Sequence, residues 1–477
     1  MNMEKFFKQQ GYDISNLKDM REYQDMWKSW YSGNVASFHH YQVYNGDRKI
    51  NQQRMSLQMA KKVCEDWANL LMNERVEVWM EDEQKDKNSH EYLMEVLERN
   101  SFWTLVNRGI EMSFGIGTGA IVLSLEDVRY NDETEVVDVS NARTNIEFVP
   151  GTKVIPLTFE GQDVTECAFI TTKTTGKQNF IFVSMHLIGE SNLYEIHNFV
   201  LLDKGNSFRD VTDEQEDFVR IFYTQSEKPW FFLVRPNIIN NIQYDSPYGA
   251  SIFANSISTL KSIDIVYDSF ANEFLLGRKR IFVTAEAVKV DPATGENKLV
   301  FDPNDVIFYV IPPDMDGKST ITDTDMTIRA EDHEKGLAMQ LNVLSTKCGF
   351  GERHYKFDNG NVATATQIIS ENSTLFRTLK KHEITLERTL IELFERILWI
   401  GSYLLGADVK EDANVAIQFD DSIIEDKNSE MLRDMGLVGA GLMEKYEFRM
   451  KHFGESEEDA KAMVPKGEPL FGLPGGE

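Results

Sequence analysis

Cysteine is scarce in this chain of 477 residues. There are three, Cys64, Cys167 and Cys348, far apart and without a C-x-x-C pair. Such spacing fits neither a zinc site nor a disulfide framework, and it leaves buried structural thiols made in a reducing cytosol. Long apolar runs are missing as well. The N-terminus, MNMEKFFKQQ, has no apolar signal-peptide core. The most apolar stretch, Leu390 to Leu405, is interrupted by Glu392, Glu395 and Arg396. A spanning helix needs about 20 mostly apolar residues, so this stretch reads as a core helix and no membrane partner is expected. Positive charge is in deficit: 50 Lys and Arg stand against 77 Asp and Glu, a formal charge of -27. A general DNA binder must neutralise phosphates, so the balance argues against a broad DNA-gripping face. It suits solubility, or a surface that faces DNA without sticking to it.

Catalytic signatures are missing too. Gly115-Ile116-Gly117-Thr118-Gly119 lies between a helical and a strand pattern with the wrong spacing for a dinucleotide fingerprint, and reads as a tight turn. No G-x-x-x-x-G-K-[ST] occurs, which excludes a P-loop ATPase. Asp323-Thr324-Asp325 and Asp420-Asp421 are paired carboxylates without the further ligands of a cation loop. His39-His40, between Phe38 and Tyr41, form no H-E-x-x-H pattern and read as packing or surface histidines. No Ser, His and Asp set suggests a nucleophile. No metal or cofactor is expected.

What is present is ample core: 42% hydrophobic residues, with 30 Phe and 7 Trp, over a length that suggests two to four domains. Arg54 to Asn73 sets Ala60, Val63, Cys64, Trp67, Leu70 and Leu71 on one helical face. Val76, Val78 and Met80 alternate, and helical spacing resumes from His90 to about Phe114. From Ala120 to about Leu202 the period becomes two. Thr144–Val149, Ala168–Thr172, Asn179–Val183 and Tyr194–Leu201 read as strands of an antiparallel meander. The fold class is α+β, without the regular alternation of a doubly wound sheet.

After the turn at Ser246-Pro247-Tyr248-Gly249, Ala250 to Gly277 predicts one unbroken helix of roughly 40 Å. A small β-rich insertion follows, about Ile281 to Ile321, with strands Ile281–Thr284 and Val306–Ile311. A second helix runs from Ala330 to about Thr346. A glycine- and asparagine-punctuated loop, Cys348 to Asn361, leads to a third helix from about Thr364 to Leu405. A short strand at Ala416–Phe419 and an acidic helical region to about Val464 complete the pattern. The tail from Pro465 to Glu477 is rich in Pro and Gly.

This order of elements resembles the portal proteins of tailed double-stranded DNA phages, in particular the siphophage type from phages of Gram-positive bacteria. The residues that carry the resemblance are Trp30-Tyr31-Ser32-Gly33 with Phe38-His39-His40-Tyr41, and the stretch from Ser56 to Leu71. Ser246-Pro247-Tyr248-Gly249, and Phe350-Gly351 ahead of Val362-Ala363-Thr364-Ala365-Thr366, are similar too. The resemblance covers nearly the whole chain. It implies a non-enzymatic ring subunit, usually one of twelve, at a capsid vertex of the virion, assembled in the bacterial host cytoplasm. The implied partners are further copies of the chain, DNA in the channel, the terminase large subunit, the major capsid and scaffolding proteins, and the head–tail adaptor.

The resemblance also implies a domain plan. Residues 1–246 and 363–419 form a mixed wing. Residues 247–277 and 330–347 form stem helices, and 278–329 a small β-rich clip. Residues 348–362 form a tunnel loop, and 420–477 a helical C-terminal crown. On this plan Arg353, His354, Lys356, Asn359 and Asn361 face DNA, with pairing of Arg353, His354 and Lys356 to neighbouring acids as the alternative. Glu331, Asp332, Glu334 and Lys335 line the stem channel, and Lys289 and Lys298 serve clip docking. Two other classes remain open at this point: a different virion ring or minor capsid protein, such as an adaptor, and a metal-dependent enzyme at the paired aspartates.

Overall fold

The computed structural model describes residues 3–45, 48–72, 76–80, 86–131, 136–205, 207–215, 218–276, 280–284, 289–290, 297–298, 308–311, 321–324, 327–352, 354–355, 365–410, 413–419 and 427–464. The chain forms two compact units. One holds residues 1–73 and 78–417, the other residues 74–77 and 418–477.

The first unit opens with α1 (Met3–Gln9), α2 (Lys18–Tyr31) and the short α3 (Ala36–His39). Next come the hairpin β1 (His40–Asn45) and β2 (Arg48–Gln53), and then α4 (Met59–Leu71). The expected helix from Arg54 therefore starts later, and a hairpin that helical spacing did not reveal precedes it. The reason lies in residues 55–57. Met55 N–H donates to Asp268 (2.9 Å), and Leu57 N–H and Ser56 Oγ donate to Asp264 (2.8 and 3.0 Å). Those bonds take up donors that a helix would use, and the segment is not helical. α4 itself follows its pattern: Val63, Cys64, Trp67 and Leu71 are buried, while Lys61–Glu65 and Lys62–Asp66 pair across one outer turn.

β3 (Glu77–Met80) is followed by α5 (Lys87–Arg99) and α6 (Phe102–Ile116). The helical run from His90 breaks at Asn100, whose side chain donates to the Val96 and Thr144 carbonyls and accepts from Ile146 N–H. Gly117, at φ +89, ends α6 and turns the chain into β4 (Gly119–Glu126), the tight turn the glycines predict.

β5 (Arg129–Asn131) and β6 (Val136–Asp138) pair with each other. β7 (Arg143–Pro150), β8 (Val154–Glu160), β9 (Asp163–Thr175), β10 (Gln178–Ile188), β11 (Tyr194–Asp203), β12 (Phe208–Asp210), β13 (Ile221–Tyr223) and β14 (Phe231–Val234) follow. Strands β8 to β12 form the expected antiparallel meander, with β13 also on β11. β14, β4 and β7 form a second antiparallel sheet. Ala120, Val122, Val149, Val154, Cys167, Phe169, Tyr194 and Phe231 pack as one buried cluster drawn from both sheets.

α7 (Ile257–Leu276) is shorter than the helix expected from Ala250. Ser251 Oγ and Ile252 N–H both donate to the Phe114 carbonyl, and Gly249 N–H donates to Thr118 Oγ1. This short stretch is therefore tied to the α6–β4 turn instead of closing helical bonds. The small β module has β15 (Arg280–Thr284), β16 (Lys289–Val290), β17 (Asn297–Lys298), β18 (Phe308–Ile311) and β19 (Ile321–Thr324). β15 pairs in parallel with β18 and antiparallel with β19.

α8 (Ala330–Lys347) and α9 (Ala365–Trp399) match their patterns. α9 buries Leu390, Leu393, Phe394, Ile397 and Leu398, with Phe394 edge-on to Phe102 at 5.5 Å. A π-helical turn, Ile400–Leu404, ends it, and β20 (Val415–Gln418) follows. In the second unit lie α10 (Lys427–Gly439), α11 (Lys445–Phe453) and α12 (Glu457–Met463). There Asp434 of α10 binds Lys451 and His452 of α11, at 2.8 and 3.0 Å. All three cysteines are free and buried, and burial pushes the Cys348 thiol up to about 12.

Candidate functional site: the helical hairpin and the loop anchor

α7 and α8 pack along each other as the two arms of a hairpin, with the β module spliced between their far ends. Gly336 of α8 faces Val266 of α7, and a Cβ there would meet it at an ordinary van der Waals distance of 3.8 Å. At the far end Glu273 of α7 clasps the start of α8. It accepts from Arg329 N–H (3.0 Å) and the Arg329 guanidinium, and His333 Nε2 lies 3.1 Å away. His333 and Arg329 together hold the Glu273 carboxyl down to about 2. Phe270 packs beside Phe274 and His333, next to this clasp.

Glu331, Asp332, Glu334 and Lys335 lie in the first turns of α8, all exposed. Acids there suit the positive end of the helix, and Lys335 reaches back to Glu331 at 3.4 Å. Lys289 of β16 and Lys298 of β17 are register partners.

The loop after α8 starts from an aromatic stack. Trp67 Nε1–H donates to the Cys348 carbonyl at 3.0 Å. Gly349, at φ +89, turns the chain so that the buried Phe350 lies on Trp67, with centroids 4.7 Å apart and planes at 22°. A side chain at Gly349 would strike Thr378 of α9 at 2.7 Å. Ser345 Oγ–H donates to the Gly351 carbonyl at 2.6 Å. His354 then stacks on Phe350, 4.4 Å away at 9°. The buried ring of His382 from α9 also packs edge-on to Trp67, at 4.9 Å. So α4, α8 and α9 meet at one stack.

His354 therefore sits at the anchor, its Nε2 3.7 Å from Asp66 Oδ2. Burial works against the Asp66 charge, but His354 and Lys62 outweigh it and hold the carboxyl below its usual range. This is the acid pairing given as the alternative for His354. Arg353, Lys356, Asn359 and Asn361 lie outside the described residues, as do Asp325, Asp420, Asp421 and the tail from Pro465. His39 is buried against Asp264 at 3.0 Å, and His40 is exposed. From the sequence, Trp67 is one of the apolar face of α4, while Phe350 and His382 carry no assigned role. The turn-forming Gly349 and Gly351 on either side of Phe350 were the available signal.

Among the described residues no group of three or more His, Cys, Asp or Glu is placed to hold a metal ion. No described helix is long and apolar enough to cross a membrane.

Residues 11–464 match the family model described as phage portal protein, SPP1 Gp6-like, and the chain belongs to that family. It is thus a structural component of a bacteriophage virion, of the portal type that forms a ring at the head, and not an enzyme. Two solved structures are similar at 10% identity. One is the neck of an empty GTA particle computed with C6 symmetry, with a TM-score of 0.43 over 82% of this chain and 89% of that one. The other is the neck of a native GTA particle computed with C12 symmetry, with a TM-score of 0.38 over 82% and 88%. No curated protein is significantly similar to the chain.

Proposed function

We propose that copies of this chain close into a ring of twelve at one capsid vertex, and that double-stranded DNA enters and leaves through its centre. Residues 1–246 and 363–419 form the wing, and 247–277 with 330–347 the stem. Residues 278–329 form the clip, 348–362 the tunnel loop and 420–477 the crown. The observation that carries this reading is the α7–α8 hairpin with a β module between its ends, in a chain of the portal family. Helices suit a channel wall because their backbone groups are satisfied internally. Each subunit of a closed ring repeats one heterologous interface, so it needs two different complementary faces.

Passing DNA must not be held at fixed phosphates. The exposed Glu331, Asp332 and Glu334 weaken attraction along the stem, and with a Debye length of about 8–10 Å only nearby charges act. Arg353 and Lys356 of the tunnel loop touch phosphates transiently, and Asn359 and Asn361 face DNA beside them. In the clip, Lys289 and Lys298 are register partners and serve docking. The terminase large subunit and later the head–tail adaptor dock there, while the wing meets major capsid and scaffolding proteins.

The experiment is Arg353→Glu together with Lys356→Glu, read as the filled-to-empty capsid ratio, with ring formation checked separately. The ratio falls while rings still form. An unchanged ratio removes both residues from the DNA path, and failed ring assembly places them in a structural ion-pair network.

A further inference from the structure

β1 and β2 form a two-stranded sheet that no third strand joins among the described residues. Six residue pairs, from His40↔Gln53 to Asn45↔Arg48, give a blade about 20 Å long. Alternation puts Tyr41, Val43, Ile50 and Gln52 on one face. Gln42, Tyr44, Lys49 and Asn51 lie on the other, where Gln42 Nε2–H donates to Asn51 Oδ1 at 3.0 Å. Val43 is 43% exposed and Tyr44 71%. An isolated hairpin of this kind is marginally stable in water, and its unpaired edges are templates for another chain.

Its root is built quite differently. His39, at the foot of β1, is buried against Asp264, and the chain leaving β2 is bonded to Asp264 and Asp268 of α7. Arg54 donates to the Phe38 carbonyl at 2.7 Å and lays its guanidinium over Phe38 and Tyr41, at 4.3 and 5.0 Å. A loose loop would not need so firm a base. The charge is also out of keeping with the chain: residues 40–54 carry Arg48, Lys49 and Arg54 against Asp47, a net of +2, in a protein of net charge -27. Lys49 has no acid partner among the described residues.

We infer that this hairpin is an assembly arm, laid by each copy of the chain against an acidic face of the adjacent copy, where the edges of the hairpin and Val43, Tyr44 and Ile50 are covered. The inference rests on the ring reading, in which every subunit offers its neighbour a surface of opposite net charge to the arm. DNA is the less suitable occupant: phosphates satisfy Arg48 and Lys49 but leave Val43 and Ile50 in water.

The test places the photo-crosslinker p-benzoylphenylalanine at Tyr44 of the full-length chain. Irradiated rings yield a crosslinked dimer of the chain, and irradiated monomers do not. In parallel, Val43→Asp with Ile50→Asp lowers ring yield about tenfold or more at equal protein concentration, while the monomer keeps its melting temperature. Crosslinks only to added double-stranded DNA, intact rings without crosslinked dimers, or parental ring yield from the double variant each overturn the arm alone. Absence of rings from the parent chain overturns the arm together with the portal reading.

Discussion

Gly249 and Gly117 touch backbone to backbone. A Cβ on Gly249 would lie 2.4 Å from the Gly117 carbonyl oxygen, and neither group is the movable end of a side chain. Gly249→Ala therefore costs about 1–3 kcal/mol by overpacking, measured by denaturant unfolding. Gly161, at φ +59 with open space around it, is the control: alanine there meets only backbone strain of about 1 kcal/mol. Equal losses at the two sites would contradict the close crossing. A second residue-scale effect concerns acid. Burial pushes His186 and His382 down to about 3, and Nδ1 of His186 has no partner. The unfolded chain takes up these protons near pH 6.5 and the folded one does not, so stability falls as pH drops from about 6.5 toward 3. His186→Phe keeps the edge-on packing against Phe169 and Phe231. It makes that decline shallower by about 1.4 kcal/mol per pH unit between pH 4 and 6. An unaltered slope in melts across this range would refute a neutral buried His186.

At the scale of elements, long and strongly periodic segments were legible in the amino-acid sequence. Strands β8 to β12 and α9 lie where alternation or a 3.6-residue stripe puts them, while Thr144–Val149, expected in the same meander, is β7 of the other sheet. The start of α7 was not legible: its apolar stripe continues backwards through Phe253, while Ser251 and Ile252 are bonded to Phe114 on a distant helix. The β1–β2 hairpin was hidden for a related reason. Its residues are mostly polar, and its root is held by Asp264 and Asp268, more than 200 positions away. The loop anchor was half legible. Gly349 and Gly351 mark a turn, but the stack of Phe350 on Trp67 and the pairing of His354 with Asp66 depend on α4 lying alongside. The β module between α7 and α8 yields a prediction at this scale. Excising residues 288–310 leaves folding and ring formation largely intact and abolishes docking of terminase or adaptor. Infectious, DNA-filled particles from that variant would show that the module is not the docking element.

At the scale of the whole molecule, the formal charge of -27 and the membership in the portal family meet in one picture. On the proposed reading, a chain with an excess of acid encircles DNA without holding it. The picture stands or falls on closure of a ring. Single-particle electron microscopy of the purified full-length chain tests this most directly. A closed ring with a central channel and one flared end is expected, while monomers alone at every protein and salt concentration tried would rule ring closure out.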